Sequence, residues 1–99
     1  MIALHRSAIV LPGRLSNAVA FAKQVAAYIK DSAGIGVSVS MPVGGNPSRI
    51  GWAAHYDNLG TLEAVMGKLM ADPKYMEMIA KGGENFIAGS MHDEIWREI

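Results

Sequence analysis

The stretch Ile35 to Tyr56, "IGVSVSMPVGGNPSRIGWAAHY", decides the fold. Ile35, Val37, Val39 and Met41 alternate with Gly36, Ser38 and Ser40. A period of two places every second side chain on the same side of an extended backbone, so this segment is a half-buried strand. Pro42 to Ser48 holds two prolines and two glycines and reads as a loop, because these residues favour turn geometry over a ladder. Arg49 to Tyr56 is the next strand and forms a hairpin with the one before it. Its faces are Ile50, Trp52, Ala54 and Tyr56 on one side, with Arg49, Gly51, Ala53 and His55 on the other.

Upstream, residues 2 to 11 are apolar, β-branched in places and closed by Pro12-Gly13, which makes them the first strand. From Leu15 the spacing changes: Leu15, Ala18, Val19, Ala22, Val25, Ala26 and Ile29 recur at threes and fours, with Lys23, Gln24 and Lys30 on the other side. That is an amphipathic helix, with Ser16 expected as its N-cap and Gly34 as its stop. Downstream, Asp57 to Gly60 is read as the exit turn of the hairpin. Leu62, Val65, Met66, Leu69 and Met70 then form a second helix. Asp72-Pro73 is a start signal for a further short helix that ends at Gly82-Gly83. Phe86 to about Trp96, "FIAGSMHDEIW", is read as one final strand, weakened in its middle by Gly89-Ser90. Strand, helix, strand, strand, helix, strand is the split βαβ order. It predicts an α+β, ferredoxin-like βαββαβ fold with a four-stranded antiparallel sheet and its helices on one face, in a single domain over residues 1–99.

Nine basic residues balance nine acidic ones with no basic run, so nucleic-acid binding is not expected. The absence of cysteine removes disulfides, thiolate nucleophiles and cysteine metal sites. "MIALHRSAIVL" carries His5 and Arg6 inside its apolar stretch and reads as structure, not as a signal peptide. No apolar run approaches the roughly 20 residues that span a bilayer, so a soluble cytoplasmic protein is expected. The chain is 51% hydrophobic and only 18% charged, which points to apolar surface reserved for a partner. The helix-free face of the sheet would be covered by a second copy in a homodimer.

Two stretches carry a family resemblance. "MIALHRSAIVLPGRL" resembles the opening strand of the dimeric α/β-barrel superfamily, especially its NIPSNAP-like branch, where an early arginine precedes a Pro-Gly turn and a helix. "HYDNLGTLEAVMGKLMADPKYMEM" resembles the third strand, acidic turn and broken second helix of the same group, and more loosely those of antibiotic-biosynthesis monooxygenases and stress-responsive barrels. The resemblance implies a pocket between sheet and helices, and chemistry of the cofactor-independent monooxygenase, isomerase or haem-degrading kind. Haem-degrading relatives keep an asparagine on the first strand, a histidine on the second helix and a tryptophan at the end of the third strand. Arg6, Met66 and Tyr56 stand there instead, so haem degradation is not expected.

Arg6 shares its strand face with Ile2, Leu4 and Ala8, the side that the resemblance turns toward the helices. A buried guanidinium needs either a carboxylate partner or an anionic ligand. Trp52 and Tyr56 line the same side of the third strand, as core or as pocket wall. Met66 and Met70 suit an irregular cavity or ordinary packing. Arg6, Trp52, Tyr56, Met66 and Met70 are therefore the candidate ligand-binding residues, with no catalytic group assigned. His5 and His55 point to the opposite face. In "HDE" at 92 to 94 only His92 and Glu94 share a side, so no metal site and no cofactor are expected. The sequence reading is a homodimeric protein that binds a small apolar or anionic organic molecule. The alternative is a non-catalytic assembly or accessory module.

Overall fold

The computed structural model describes Met1 to Ile99. The elements follow as β1 (Ile2–Ile9), α1 (Leu15–Ala33), β2 (Val37–Ser40), β3 (Arg49–Tyr56), α2 (Leu59–Met70), α3 (Pro73–Gly82), a single 3₁₀ turn at Gly83–Asn85, and β4 (His92–Arg97). The strands lie in the order β2-β3-β1-β4, and each pairs antiparallel with its neighbour. This is the ferredoxin-like arrangement.

Register fixes which side chains meet. Arg6 stands opposite Trp52 on β3 and opposite Asp93 on β4, while Leu4 lies between Ala54 and Ile95. These residues share the face that carries the helices. The other face bears Ala3, His5 and Ser7 of β1, Gly51, Ala53 and His55 of β3, and His92, Glu94 and Trp96 of β4. A slip of one residue would exchange the two sets, so the apolar face sets the register.

Local signals set the helix ends. α1 buries Ala18, Ala22, Val25 and Ile29 and stops at Gly34, whose φ of 71° is left-handed and whose N–H donates to the Lys30 carbonyl. α2 starts at Asn58, whose side chain accepts from the Thr61 N–H at 2.8 Å, a cap that contributes about 1 kcal/mol. α3 starts at Asp72, whose Oδ1 accepts from the N–H groups of Lys74 and Tyr75, with Pro73 in the first helical position. The other oxygen of Asp72 accepts a hydrogen bond from the Tyr28 hydroxyl, which ties the start of α3 to α1.

The buried side chains form three separate groups. Ile2, Ala54, Tyr56 and Leu62 close one end of the sheet against α2. Val10, Ala18, Ala22 and Ile50 close the other end against α1. Val25, Ile29, Leu69 and Tyr75 join the three helices to one another. No helix is long and apolar enough to cross a membrane.

Four expectations from the sequence are corrected. Helix α1 begins at Leu15 behind Arg14 with no side-chain cap. The turn at Leu11–Arg14, closed by the Arg14 N–H on the Leu11 carbonyl, feeds directly into the helix and leaves Ser16 exposed in the first turn. β2 is shorter than Ile35–Met41, because its ladder to β3 runs only from Val37 opposite Ala54 to Ser40 opposite Gly51. Leu59 and Gly60 are helical, not part of an exit turn, since Asn58 caps α2 and the helix starts three residues before the apolar spacing begins at Leu62. The segment from Phe86 to Trp96 is not one strand. Phe86 makes a single bridge to Val10, Ile87 to Ser90 form a turn with Gly89 at φ 78°, and β4 starts only at His92. The Ser90 hydroxyl enforces this break by accepting from the Ile9 N–H at 3.0 Å and donating to the Ile87 carbonyl at 2.7 Å.

Candidate functional site

Between the three buried groups lies a cavity of about 460 Å³. Its floor is the helix-side face of β1 and β3, with Leu4, Arg6, Ala8, Trp52, Ala54 and Tyr56. Its roof comes from α1, α2 and α3, and the loop from Phe86 to Met91 closes one side. Twenty of the 24 lining residues are apolar, and Arg6 is the one charged residue among them. Such an enclosure, apolar with a few placed polar groups, is the usual form of a small-molecule site. A larger groove between α1 and α3 is open and polar, lined by Gln24, Asp31, Lys74, Glu77 and Lys81. Its Lys81 already pairs with Glu77 at 3.1 Å, so it reads as a solvated helix surface.

The five residues expected at a ligand site, Arg6, Trp52, Tyr56, Met66 and Met70, all line the cavity. The guanidinium of Arg6 grips Asp93 in a two-pronged ion pair, Nε to Oδ1 at 2.7 Å and Nη2 to Oδ2 at 2.8 Å. The hydrogen bond raises the Arg6 pKa and holds the Asp93 carboxyl below its ordinary range, so both stay charged. Trp52 donates its indole N–H to the Ala22 carbonyl at 3.3 Å and packs beside Phe86. That bond fixes the indole as a wall.

Tyr56 and Tyr75 are buried to within 5% and 8% of full enclosure. Neither hydroxyl has a hydrogen-bond partner in the protein, yet no polar side-chain atom is both sealed from solvent and unpartnered. Both residues line the cavity, and both hydroxyls are open to solvent and not sealed in the packing. Burial pushes both phenol pKa values up, against a smaller opposing pull from the Arg6 charge. They remain neutral hydrogen-bond donors through the ordinary pH range.

Sequence reasoning missed Tyr75, Asp93 and the wall from Phe86 to Met91. The signal for Tyr75 was present: Asp72-Pro73 sets the start of α3, and Tyr75, Met78, Ile79 and Gly82 then follow at threes and fours. For Asp93, strand alternation already excluded it from the side of His92 and Glu94. Its pairing with Arg6 needed the β1–β4 register.

The three histidines lie on the far face of the sheet. His92 approaches Glu94 at 3.3 Å and His55 approaches Glu98 at 3.6 Å. His5 rests over Gly51, where a Cβ would come within 3.0 Å of its Nε2. No three His, Asp or Glu side chains converge as a metal-binding group.

No family model matches the chain. No curated protein matches it in sequence. Solved structures match it in shape. An uncharacterized NIPSNAP domain protein from Burkholderia xenovorans superposes with a TM-score of 0.85 at 12% identity, over 100% of this chain and 95% of that one. The chain shares the ferredoxin-like fold of that protein. A NIPSNAP family protein from Agrobacterium tumefaciens gives a TM-score of 0.79 at 16% identity, covering 99% of this chain and 92% of that one. A candidate antibiotic biosynthesis monooxygenase from Deinococcus radiodurans gives 0.74 at 15% identity, covering 99% and 92%. At these identities the likeness is one of fold, and a shared fold does not carry an activity with it.

Proposed function

We propose that the cavity of this ferredoxin-like protein binds a small, largely apolar organic molecule. The observation that carries the reading is the enclosure itself: a 460 Å³ space with apolar walls and two buried phenols lining it. The sequence left an anionic ligand open. Asp93 weakens that variant, because it occupies the Nε edge of Arg6 and brings the formal charge of the pair to zero. A carboxylate entering the site would have to displace Asp93 or lie beside it.

Cofactor-independent oxidation or isomerisation of the bound molecule, the chemistry that the family resemblance implies, is the reaction class we propose, and the fold likeness to a candidate antibiotic biosynthesis monooxygenase supports the oxidation. The residues of the cavity supply binding and orientation. We further propose that the protein works as a homodimer in which a second copy covers the helix-free sheet face. Trp96, 64% exposed on that face, supports this reading.

Nile red, a neutral apolar dye whose emission rises on leaving water, tests the site. The native protein is expected to bind it, and Met66→Trp, which fills the cavity from α2, to weaken binding at least ten-fold without lowering the melting temperature. Met41→Trp, outside the cavity, serves as the control. Equal binding by all three proteins would remove the cavity from the account. It would favour a non-catalytic accessory module in which the Arg6–Asp93 pair only joins β1 to β4.

A further inference from the structure

The polar groups that face the cavity are unequal in kind. Every acceptor near Arg6 is already engaged: Oδ1 and Oδ2 of Asp93 take the Nε and Nη2 hydrogens, and the Ser90 hydroxyl is committed to Ile9 and Ile87. Among the donors, the Trp52 indole N–H is spent on the Ala22 carbonyl, and the two phenols are not engaged. The hydroxyls of Tyr56 and Tyr75 have no partner in the protein, although both residues are more than nine-tenths buried. The two phenols come from different directions, Tyr56 from the end of β3 and Tyr75 from the first turn of α3.

Both positions are held by structure that serves other purposes. The Asp72 cap and Pro73 fix the start of α3, and with it the direction in which Tyr75 leaves the helix. The β1–β3 register places Tyr56 opposite Ile2 on the helix side of the sheet. Arg6, Tyr56 and Tyr75 all line this one cavity. A ligand that fills the cavity shields both hydroxyls from solvent, and a shielded donor without a partner is costly, so the ligand itself must supply the acceptor.

We propose that the ligand presents an uncharged hydrogen-bond acceptor, a ketone-type carbonyl oxygen, to the hydroxyls of Tyr56 and Tyr75, with its apolar body along the methionine and aromatic walls. A neutral acceptor matches two neutral donors and leaves the Arg6–Asp93 pair intact. A carboxylate would meet the charge of Asp93. An apolar end would leave both hydroxyls unpaired. This inference rests on the cavity-binding reading above and adds the chemical class of the group recognised.

Three naphthalenes of matched shape separate the cases: 2-acetonaphthone with a carbonyl, 2-isopropylnaphthalene without one, and 2-naphthoate with an anion. Calorimetric titration of the native chain, Tyr56→Phe and Tyr75→Phe reads each contribution, and a melting curve checks that each variant folds. Each Tyr→Phe change is expected to weaken 2-acetonaphthone by about five-fold, the usual effect of one hydrogen bond, and to leave 2-isopropylnaphthalene within two-fold. The inference is overturned if both neutral ligands weaken alike, if neither weakens, or if 2-naphthoate binds more tightly than the ketone. Failure of all three compounds to bind the native chain would overturn the cavity reading itself.

Discussion

Gly82 offers a test of how tightly the helices that roof the cavity are packed. It is buried at the end of α3, and the Phe21 ring of α1 occupies the place where a side chain would start. A Cβ built there would lie 1.9 Å from Cε1, 2.2 Å from Cδ1 and 2.3 Å from Cζ of that ring. Ordinary contact begins near 3.4 Å, so in Gly82→Ala the ring or the helix must yield by about 1.5 Å. Its retreat would disturb the edge-on contact with Phe86, whose ring centroid lies 5.9 Å away. Overpacking of this kind costs about 1–3 kcal/mol. Alanine's better helix propensity returns at most about 1 kcal/mol. The expected net loss is about 1–2 kcal/mol, seen as a fall of roughly 5–15 °C in melting temperature by calorimetry. The sign should reverse in a Phe21→Ala background, where no ring opposes the new methyl and only the helix preference remains. Gly82→Ala there should be neutral or stabilising by up to about 1 kcal/mol. An equal loss in both backgrounds would refute the reasoning, since the cost would then come from the backbone at Gly82 and not from Phe21.

Two further outcomes are expected. Asp93→Asn should destabilise the protein at neutral pH by on the order of 1 kcal/mol, the upper end for a partly exposed pair, because its geometry is two-pronged. Since the Arg6 hydrogen bond lowers the folded-state pKa of Asp93 below 3.8, the native pair's contribution is fully present above that unfolded value and is lost as pH falls through the folded one. Urea midpoints of native and variant should therefore converge below about pH 3.8, and a constant gap down to acid pH would show that the ion pair is not what distinguishes them. On the helix-free face, light scattering at micromolar concentration should give twice the chain mass, and Trp96→Glu should return it to one chain. A native protein that is monomeric at that concentration would end the homodimer proposal.

How much of this was legible in the sequence depended on how local each signal was. β3 runs from Arg49 to Tyr56 as its alternation and flanking turns require, and Asp72-Pro73 starts α3 where a cap followed by proline must. Both rest on neighbours within a few residues. Asn58 was passed over because the apolar stripe of α2 begins only at Leu62, while the backbone is already helical from Leu59. The last strand was overextended for a different reason. Its break depends on the Ser90 hydroxyl taking the Ile9 N–H, a contact between residues 81 apart in the chain. No local pattern encodes that contact.

The site divides along the same line. Arg6, Trp52 and Tyr56 were legible because alternation sorts strand residues by face. The cavity itself was not, because it comes from what is absent at the centre of the sheet. Ala8 and Ala54 lie on the floor where larger side chains would fill the layer. At the two ends, Tyr56 packs with Ile2 and Leu62, and Ile50 packs with Val10 against α1. The helices are then held apart from the middle of the sheet by contacts on either side of it, and close packing cannot collapse the space between. A small residue on a strand is usually read as a place where packing is merely adequate. Here Ala8 and Ala54 line the same cavity as the two phenols, so they belong to the site as much as Tyr56 and Tyr75 do.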